Sequence, residues 1–247
     1  LNKRWQKEVR ALHLKKNRKA SQRFLVEGRK NVEELLRSDY KIEALFYTQE
    51  FEERHQDLLN SSSAELKQLS NISDLEKAGT FKSNDAAIAI VRMKEAVKPN
   101  AENELVICLD DVRDPGNLGT IIRIADWYGI KNVFCSDNSA DFYNPKVISS
   151  TMGSFCRINP YYGDLTSFLE AQNSNTPIVG AFMDGDNIYQ SKLAEKGILV
   201  MGNESNGISE QIEGLINKKI TIPRFGEAES LNVAIATAVI LDNYKRQ

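Results

Sequence analysis

Between residues 104 and 222 the chain repeats one pattern: a short run almost without polar residues, then a longer segment at helical spacing. The runs lie at 105–109, 132–135, 177–182, 198–201 and 219–222. A strand with one wet face alternates apolar and polar residues, so a continuous apolar run implies a strand covered on both faces. Helices are predicted over 120–127, with Ile121, Ile124 and Ala125 facing inward, and around 144–150, 164–171 and 233–244. The pattern predicts an α/β fold with a mostly parallel sheet between layers of helices. Ligands on such sheets sit outside the carboxyl ends of the strands. Three loops at those ends, 110–119, 202–209 and 223–232, are rich in Gly and polar residues.

The preceding ninety or so residues alternate more loosely. Trp5, Val9 and Leu12 give a basic amphipathic helix over 5–14, followed by a strand at 24–28 closed by Gly28 and a helix over 31–36. A strand at 42–47, a helix over 50–59, a short helix opened by the capping box Ser73-Asp74-Leu75-Glu76 and a strand at 86–91 complete a small α/β domain. Residues 93–104 are polar, broken by Pro99 and without apolar period. The expected organisation is therefore a first domain over 1–95, a linker over 96–103 and a second domain over 104–247.

Charge is unevenly placed. Residues 1–30 hold eleven Lys or Arg against two Glu, a balance of +9, so a chain of net charge -2 carries -11 elsewhere. A basic arm on an acidic body suits a phosphate backbone, with Arg10, Lys15, Lys16, Arg18, Lys19 and Arg23 as candidate contacts to it. A merely solvated helix face is the alternative. No apolar run reaches the eighteen or so residues that a membrane span needs, so a soluble, cytoplasmic protein is expected. Cys108, Cys135 and Cys156 are widely spaced without a CxxC, and the two histidines, His13 and His55, fall in the first domain. Buried free thiols are expected, with neither a disulfide framework nor a metal site.

The loop at 110–119 has only Gly116 and Gly119, which excludes GxGxxG and GxxxxGK[ST] and weakens any dinucleotide or triphosphate reading. Its distinctive residues are Asn117 and, one turn into the helix, Arg123, placed either to grip a phosphate or carboxylate or to pair with Asp126 or Asp114. In the loop at 202–209, Gly202 and Gly207 allow close backbone approach to a ligand. Glu204 is expected to be partly buried, and the bland alternative is a turn with Ser209 capping a helix. In the third loop Gly226 breaks the strand, and Ser230 or Asn232 caps a helix whose Val233, Ala236, Ile240 and Tyr244 share a face.

Taken in order, Asn117-x-Gly119-x-x-x-Arg123-x-Ala125, Gly202-x-Glu204-x-x-Gly207 and Ile222-Pro223 with Glu229-Ser230-Leu231-Asn232-Val233 resemble the three motifs of the SpoU (TrmH-like) RNA 2'-O-ribose methyltransferases. The likeness covers roughly 104–247. The first domain more loosely resembles the ribosomal-protein-L30-like substrate-binding domain that many members carry. The resemblance implies a deep trefoil knot, which pattern reasoning alone would not propose. It also implies a homodimer through the C-terminal domain and S-adenosylmethionine as cofactor. By position, Gly202, Ile222 and Leu231 would hold that cofactor through backbone groups, with Ala181, Met201 and Pro223 lining its pocket. The implied reaction is methylation of a ribose 2'-hydroxyl in structured RNA, ribosomal RNA favoured over transfer RNA. Arg123 would bind the adjoining phosphate and stabilise alkoxide charge, Asn117, Ser230 and Asn232 would orient the ribose and loop, and Glu204 would fix loop geometry. A non-catalytic dimeric RNA-binding protein and a Rossmann-type nucleotide enzyme are the alternatives.

Overall fold

The computed structural model describes residues 1–246. The chain forms two compact units, one of 1–95 together with 141–156, the other of 96–140 together with the residues from 157 onward.

In the first unit, α1 (Lys3–Ala11) is capped by Asn2, whose Oδ1 accepts from the Trp5 amide at 3.0 Å. The expected single helix over 5–14 is two, because α2 (Lys15–Ser21) follows a turn at Leu12–Leu14. The strands β1 (Arg23–Glu27), β2 (Ile42–Tyr47), β3 (Leu66–Leu69) and β4 (Ala87–Arg92) form a sheet in the order β1-β4-β2-β3. Strand β4 is antiparallel to both neighbours, and β2 and β3 are parallel. Between them lie α3 (Arg29–Leu36), α4 (Gln49–Ser61) and α5 (Ile72–Ala78). Val9 and Leu12 bury against Leu25, Phe46, Ile88 and Ile90, so the apolar face of α1 is core. The cap of α5 is Asn71, which accepts from the Asp74 amide at 2.8 Å, and not the Ser73 box. Strand β3 escaped the sequence reading because an edge strand of four residues offers only Leu66 and Leu69 as apolar signal. Helix α6 (Pro115–Trp127) belongs to the other unit, but α7 (Pro145–Thr151) and a 3-10 turn at Ser154–Cys156 pack here. Phe24 meets Tyr143 at 4.6 Å and Phe155 at 6.0 Å between ring centroids.

The second unit is a six-stranded, wholly parallel sheet. Its strands β5 (Leu105–Leu109), β6 (Asn132–Ser136), β7 (Asn159–Gly163), β8 (Ile178–Asn187), β9 (Gly197–Met201) and β10 (Lys218–Thr221) lie in the order β10-β8-β9-β5-β6-β7. The expected mostly parallel sheet is thus observed, with β9 and β5 buried at every position. Helices α6 (Pro115–Trp127), α8 (Leu165–Glu170), α9 (Glu210–Glu213) and α10 (Val233–Lys245) complete it. Helix α6 begins at Pro115 and not at 120. Asp114 accepts from the Asn117 amide at 2.9 Å while Pro115, with its φ preset, takes the first turn. Edge strand β7 was not foreseen, since Pro160 and Gly163 depress its strand signal. Residues of the polar stretch after 95 are packed on this unit, with Pro99 buried and Ala101 in the core beside Phe168 and Leu169.

Strand β8 runs five residues beyond its predicted end and pairs with β10 in two registers. Lys219 lies opposite Gly180 and Ile220 opposite Asp186, so 181–185 leave the ladder between them. A Cβ on Gly185 would stand 2.9–3.0 Å from backbone atoms of Lys219 and Ile220. A side chain at 185 would press on that backbone, and glycine lets the two segments pass closely without displacing it.

Candidate active site

Strands β10, β8, β9 and β5 are contiguous and parallel, so the segments leaving their carboxyl ends share one edge of the sheet. These segments are the three loops singled out from the sequence, joined by the excursion at 181–185. The structure binds them together through side chains. Asn117 Nδ2 donates to Glu204 Oε1 at 2.8 Å, and Asn232 Nδ2 donates to Asn117 Oδ1 at 2.8 Å. Asn232 Oδ1 in turn accepts from the amides of Ala234 at 3.0 Å and Ile235 at 3.3 Å, capping α10. A carboxylate therefore orients one amide, that amide orients a second, and the second is anchored on a helix N-terminus. Both ends of each Asn are used, so neither can rotate by half a turn without losing bonds.

Further bonds set the frame. Asp110, 8% exposed, accepts from both the amide and the hydroxyl of Ser209 at 2.8 Å. Ser209 thus opens α9 with its hydroxyl turned to Asp110 and not to the helix. Asn203 Nδ2 donates to the Asp111 carbonyl at 2.7 Å, and its Oδ1 accepts from the amides of Ser205 and Asn206. Asp111 has φ +60°, left-handed for a non-glycine residue, and its side chain accepts from Arg113 at 2.7 Å. That hydrogen bond is the main cause of a raised Arg113 pKa. Asp110, Asn203 and Ser209 were missed as site-building residues. The readable signal was an aspartate immediately after a buried strand, facing a loop with free amides.

Arg123 is exposed on α6. Among the described residues it has no ion-pair or hydrogen-bond partner within the chain. Asp126, its suspected partner, is instead held by Arg157, whose Nε and Nη2 reach it at 2.8–3.0 Å. Glu204 is exposed, against the expectation of partial burial. Ser230 is exposed and has no bond within the described residues, so Asn232 alone caps the helix.

The residues proposed to hold a cofactor suit a ligand gripped by backbone. Gly202 and Ile222 each lie one residue beyond the last ladder position of their strands, Met201 and Thr221, leaving their peptide groups outside the sheet register. A Cβ at Gly202 would stand 2.2–2.5 Å from backbone atoms of Gly207 and Ile208, so the loop folds back at a distance only glycine permits. Met201 is buried, Ala181, Ile222 and Pro223 half-buried, and Leu231 49% exposed. Among the described residues no group of His, Cys, Asp and Glu is arranged to hold a metal ion, and no helix is long and apolar enough to cross a membrane.

In the first unit the basic residues divide. Lys15, Lys16 and Lys19 are exposed, and Arg10 donates to the Lys77 carbonyl at 2.8 and 3.1 Å. Arg23 is paired with Glu8 and Glu43. Arg18 is 1% exposed, with its guanidinium committed to Asp141 and to the carbonyls of Leu12 and His13. A group so enclosed holds the fold and has no face left for a phosphate.

A parallel sheet whose carboxyl edge gathers three such loops, one beside a close chain crossing, is the α/β architecture that the chain shares with solved SpoU and TrmH structures. Residues 104–242 match the family model described as SpoU rRNA Methylase family, and residues 6–80 match the MRM3-like substrate binding domain. The chain belongs to the SpoU rRNA methylase family. It is 33% identical to the 23S rRNA guanosine 2'-O-methyltransferase RlmP of Bacillus subtilis strain 168, over 95% of this chain and 93% of that one. A solved TrmH-family structure from Porphyromonas gingivalis superposes with a TM-score of 0.88 at 35% identity, covering 100% of this chain and 99% of the other. The SpoU methyltransferase AviRb of Streptomyces viridochromogenes, solved with AdoMet, gives 0.85 at 26% identity, covering 100% and 98%.

Proposed function

We propose that this protein methylates a ribose 2'-hydroxyl in ribosomal RNA, working as a homodimer. It is an RNA 2'-O-ribose methyltransferase, and its methyl donor is S-adenosylmethionine. The observation carrying the reading is the Glu204–Asn117–Asn232 chain of hydrogen bonds, which unites all three family motifs beside an unpaired Arg123. The methyl donor, held by Gly202, Ile222 and Leu231 with Ala181, Met201 and Pro223 around it, supplies an electrophilic methyl group on a sulfonium.

The chain's own task is to place and activate a weak nucleophile. An arginine stays protonated, with a pKa above about 12, so Arg123 is not the base. Its guanidinium instead grips the phosphate next to the target ribose and stabilises charge developing on the 2'-oxygen. The proton goes to phosphate or water. Asn117 and Asn232, each locked by its neighbours, hold the loops that bracket the ribose, and Glu204 fixes Asn117. Ser230, having no partner of its own, is available to the ribose. Such ordering supplies the alignment on which displacement depends.

Ribosomal RNA is favoured because a relative aligned along nearly its whole length is named as a 23S rRNA methyltransferase and because the substrate-binding match is present. The exposed Lys15, Lys16 and Lys19 supply backbone contacts. Trp127 and Ile235, 83% and 52% exposed on α6 and α10, are apolar surface that a second copy would cover. The decisive test is Arg123→Ala with labelled S-adenosylmethionine and fractionated RNA from cells lacking the gene. Transfer to ribosomal RNA should vanish while calorimetric cofactor binding persists. Loss of cofactor binding would make Arg123 structural, and transfer to the transfer-RNA fraction alone would overturn the substrate assignment.

A further inference from the structure

Phe225 is 91% exposed, the most exposed large apolar side chain among the described residues. It stands on the loop between β10 and α10, and both ends of that loop belong to the site. The loop leaves the sheet at Ile222-Pro223 and re-enters structure at Asn232, which bonds to Asn117. Residues 224–232 are all exposed, and a Cβ added at the neighbouring Gly226 would meet nothing within 4 Å. The ring therefore has open space on the loop that borders the reacting ribose. A benzyl group left in water forgoes the free energy of its burial, which a partner seated on it in the working complex would recover.

Charge narrows what that partner is. Arg224 turns its Nη1 back to the Ala228 carbonyl at 3.4 Å, while Glu227 and Glu229 point the balance of the loop toward negative. A phosphate backbone is disfavoured there. The uncharged face of an unpaired base is not, and unstacked RNA bases are held on aromatic side chains in this way. We propose that Phe225 stacks on a base of the substrate RNA, at or next to the methylated nucleotide. This rests on the reading of the chain as an RNA methyltransferase. Stacking accepts any base, so Phe225 is a positioning residue that keeps a nucleotide extruded while Arg123 and the asparagines align its ribose.

Phe225→Ala, Phe225→Leu and Phe225→Trp are compared in the full chain by methyl transfer to total RNA from cells lacking the gene. Calorimetry with S-adenosylmethionine and sedimentation accompany the assay. Phe225→Ala should lower kcat/KM roughly tenfold or more, mostly through KM, and Phe225→Leu nearly as far, with Phe225→Trp close to the parent. Cofactor affinity and sedimentation should not change. In Phe225→Trp, fluorescence above the background of Trp5 and Trp127 should be quenched by the same RNA. Parent-like Phe225→Leu, weakened cofactor binding or altered sedimentation in Phe225→Ala, or an unquenched Phe225→Trp would each overturn the assignment. If the parent transferred no methyl groups, the proposed function would fail, and quenching would still decide the stacking.

Discussion

The link between Asn117 and Glu204 can be broken in two ways that the geometry ranks unexpectedly. Asn117→Ala removes a donor from a carboxylate 2.8 Å away and an acceptor from Asn232 at the same distance. A hydrogen bond to a charged group contributes ~1.5–3 kcal/mol and a neutral one ~0.5–1.5. These groups are largely exposed, so the low ends apply, ~2 kcal/mol together, or ~30-fold in the population of the assembled loops. Asn117→Asp is the closer isostere and keeps the acceptor for Asn232, yet it sets a second carboxylate against Glu204. Besides the lost bond of ~1.5 kcal/mol, two charges at ~4 Å repel by ~1 kcal/mol in water and ~4 near a protein surface. The isosteric variant should therefore be the worse one, with kcat/KM for methyl transfer down ~60-fold or more. Adding Glu204→Gln to Asn117→Asp lets an amide at 204 donate to the carboxylate at 117 and should recover about tenfold. If Asn117→Asp outperforms Asn117→Ala, or the double variant is no better than Asn117→Asp, the bond does not organise the site.

Two other expectations follow from burial. Arg18→Ala strands Asp141 and two carbonyls in the first unit, a loss of ~3–5 kcal/mol visible in urea denaturation, whereas Lys15→Ala with Lys16→Ala should leave stability within ~1 kcal/mol and flatten the salt dependence of RNA binding. A stable Arg18→Ala with weakened RNA binding would return Arg18 to the RNA face. Burial pushes the Cys135 thiol up to about 12 and raises Cys108 as well, so both stay protonated and closed to reagents at pH 8. Iodoacetamide should label the half-buried Cys156 first, and labelling of Cys135 in the native protein would contradict its burial.

How far the sequence could be read depended on whether the signal was local. Strands β5 and β9 announced themselves because burial on both faces leaves no room for polar residues. The start of α6 is just as local, an Asp-Pro pair five residues ahead of the start at 120 that apolar spacing indicates. Edge strands β3 and β7 were invisible for a physical reason: an edge buries little and tolerates Pro160 and Gly163. Arg18 and Lys19 are adjacent in a basic run, and nothing local says that one is enclosed by Asp141, more than a hundred residues away, while the other meets solvent.

By itself the sequence determined the parallel α/β sheet, the three loops at its edge and, through their motifs, the family. Those depend on patterns within a dozen residues and on residue types that the chemistry requires. Only the tertiary structure decided which donor meets which acceptor. It ordered Glu204, Asn117 and Asn232 into one chain, gave Asp126 to Arg157 and so left Arg123 unpaired, and laid Gly185 across β10. Hydrogen bonds and close backbone passages are set by distances in space, and the residues concerned lie 31 to 115 positions apart along the chain.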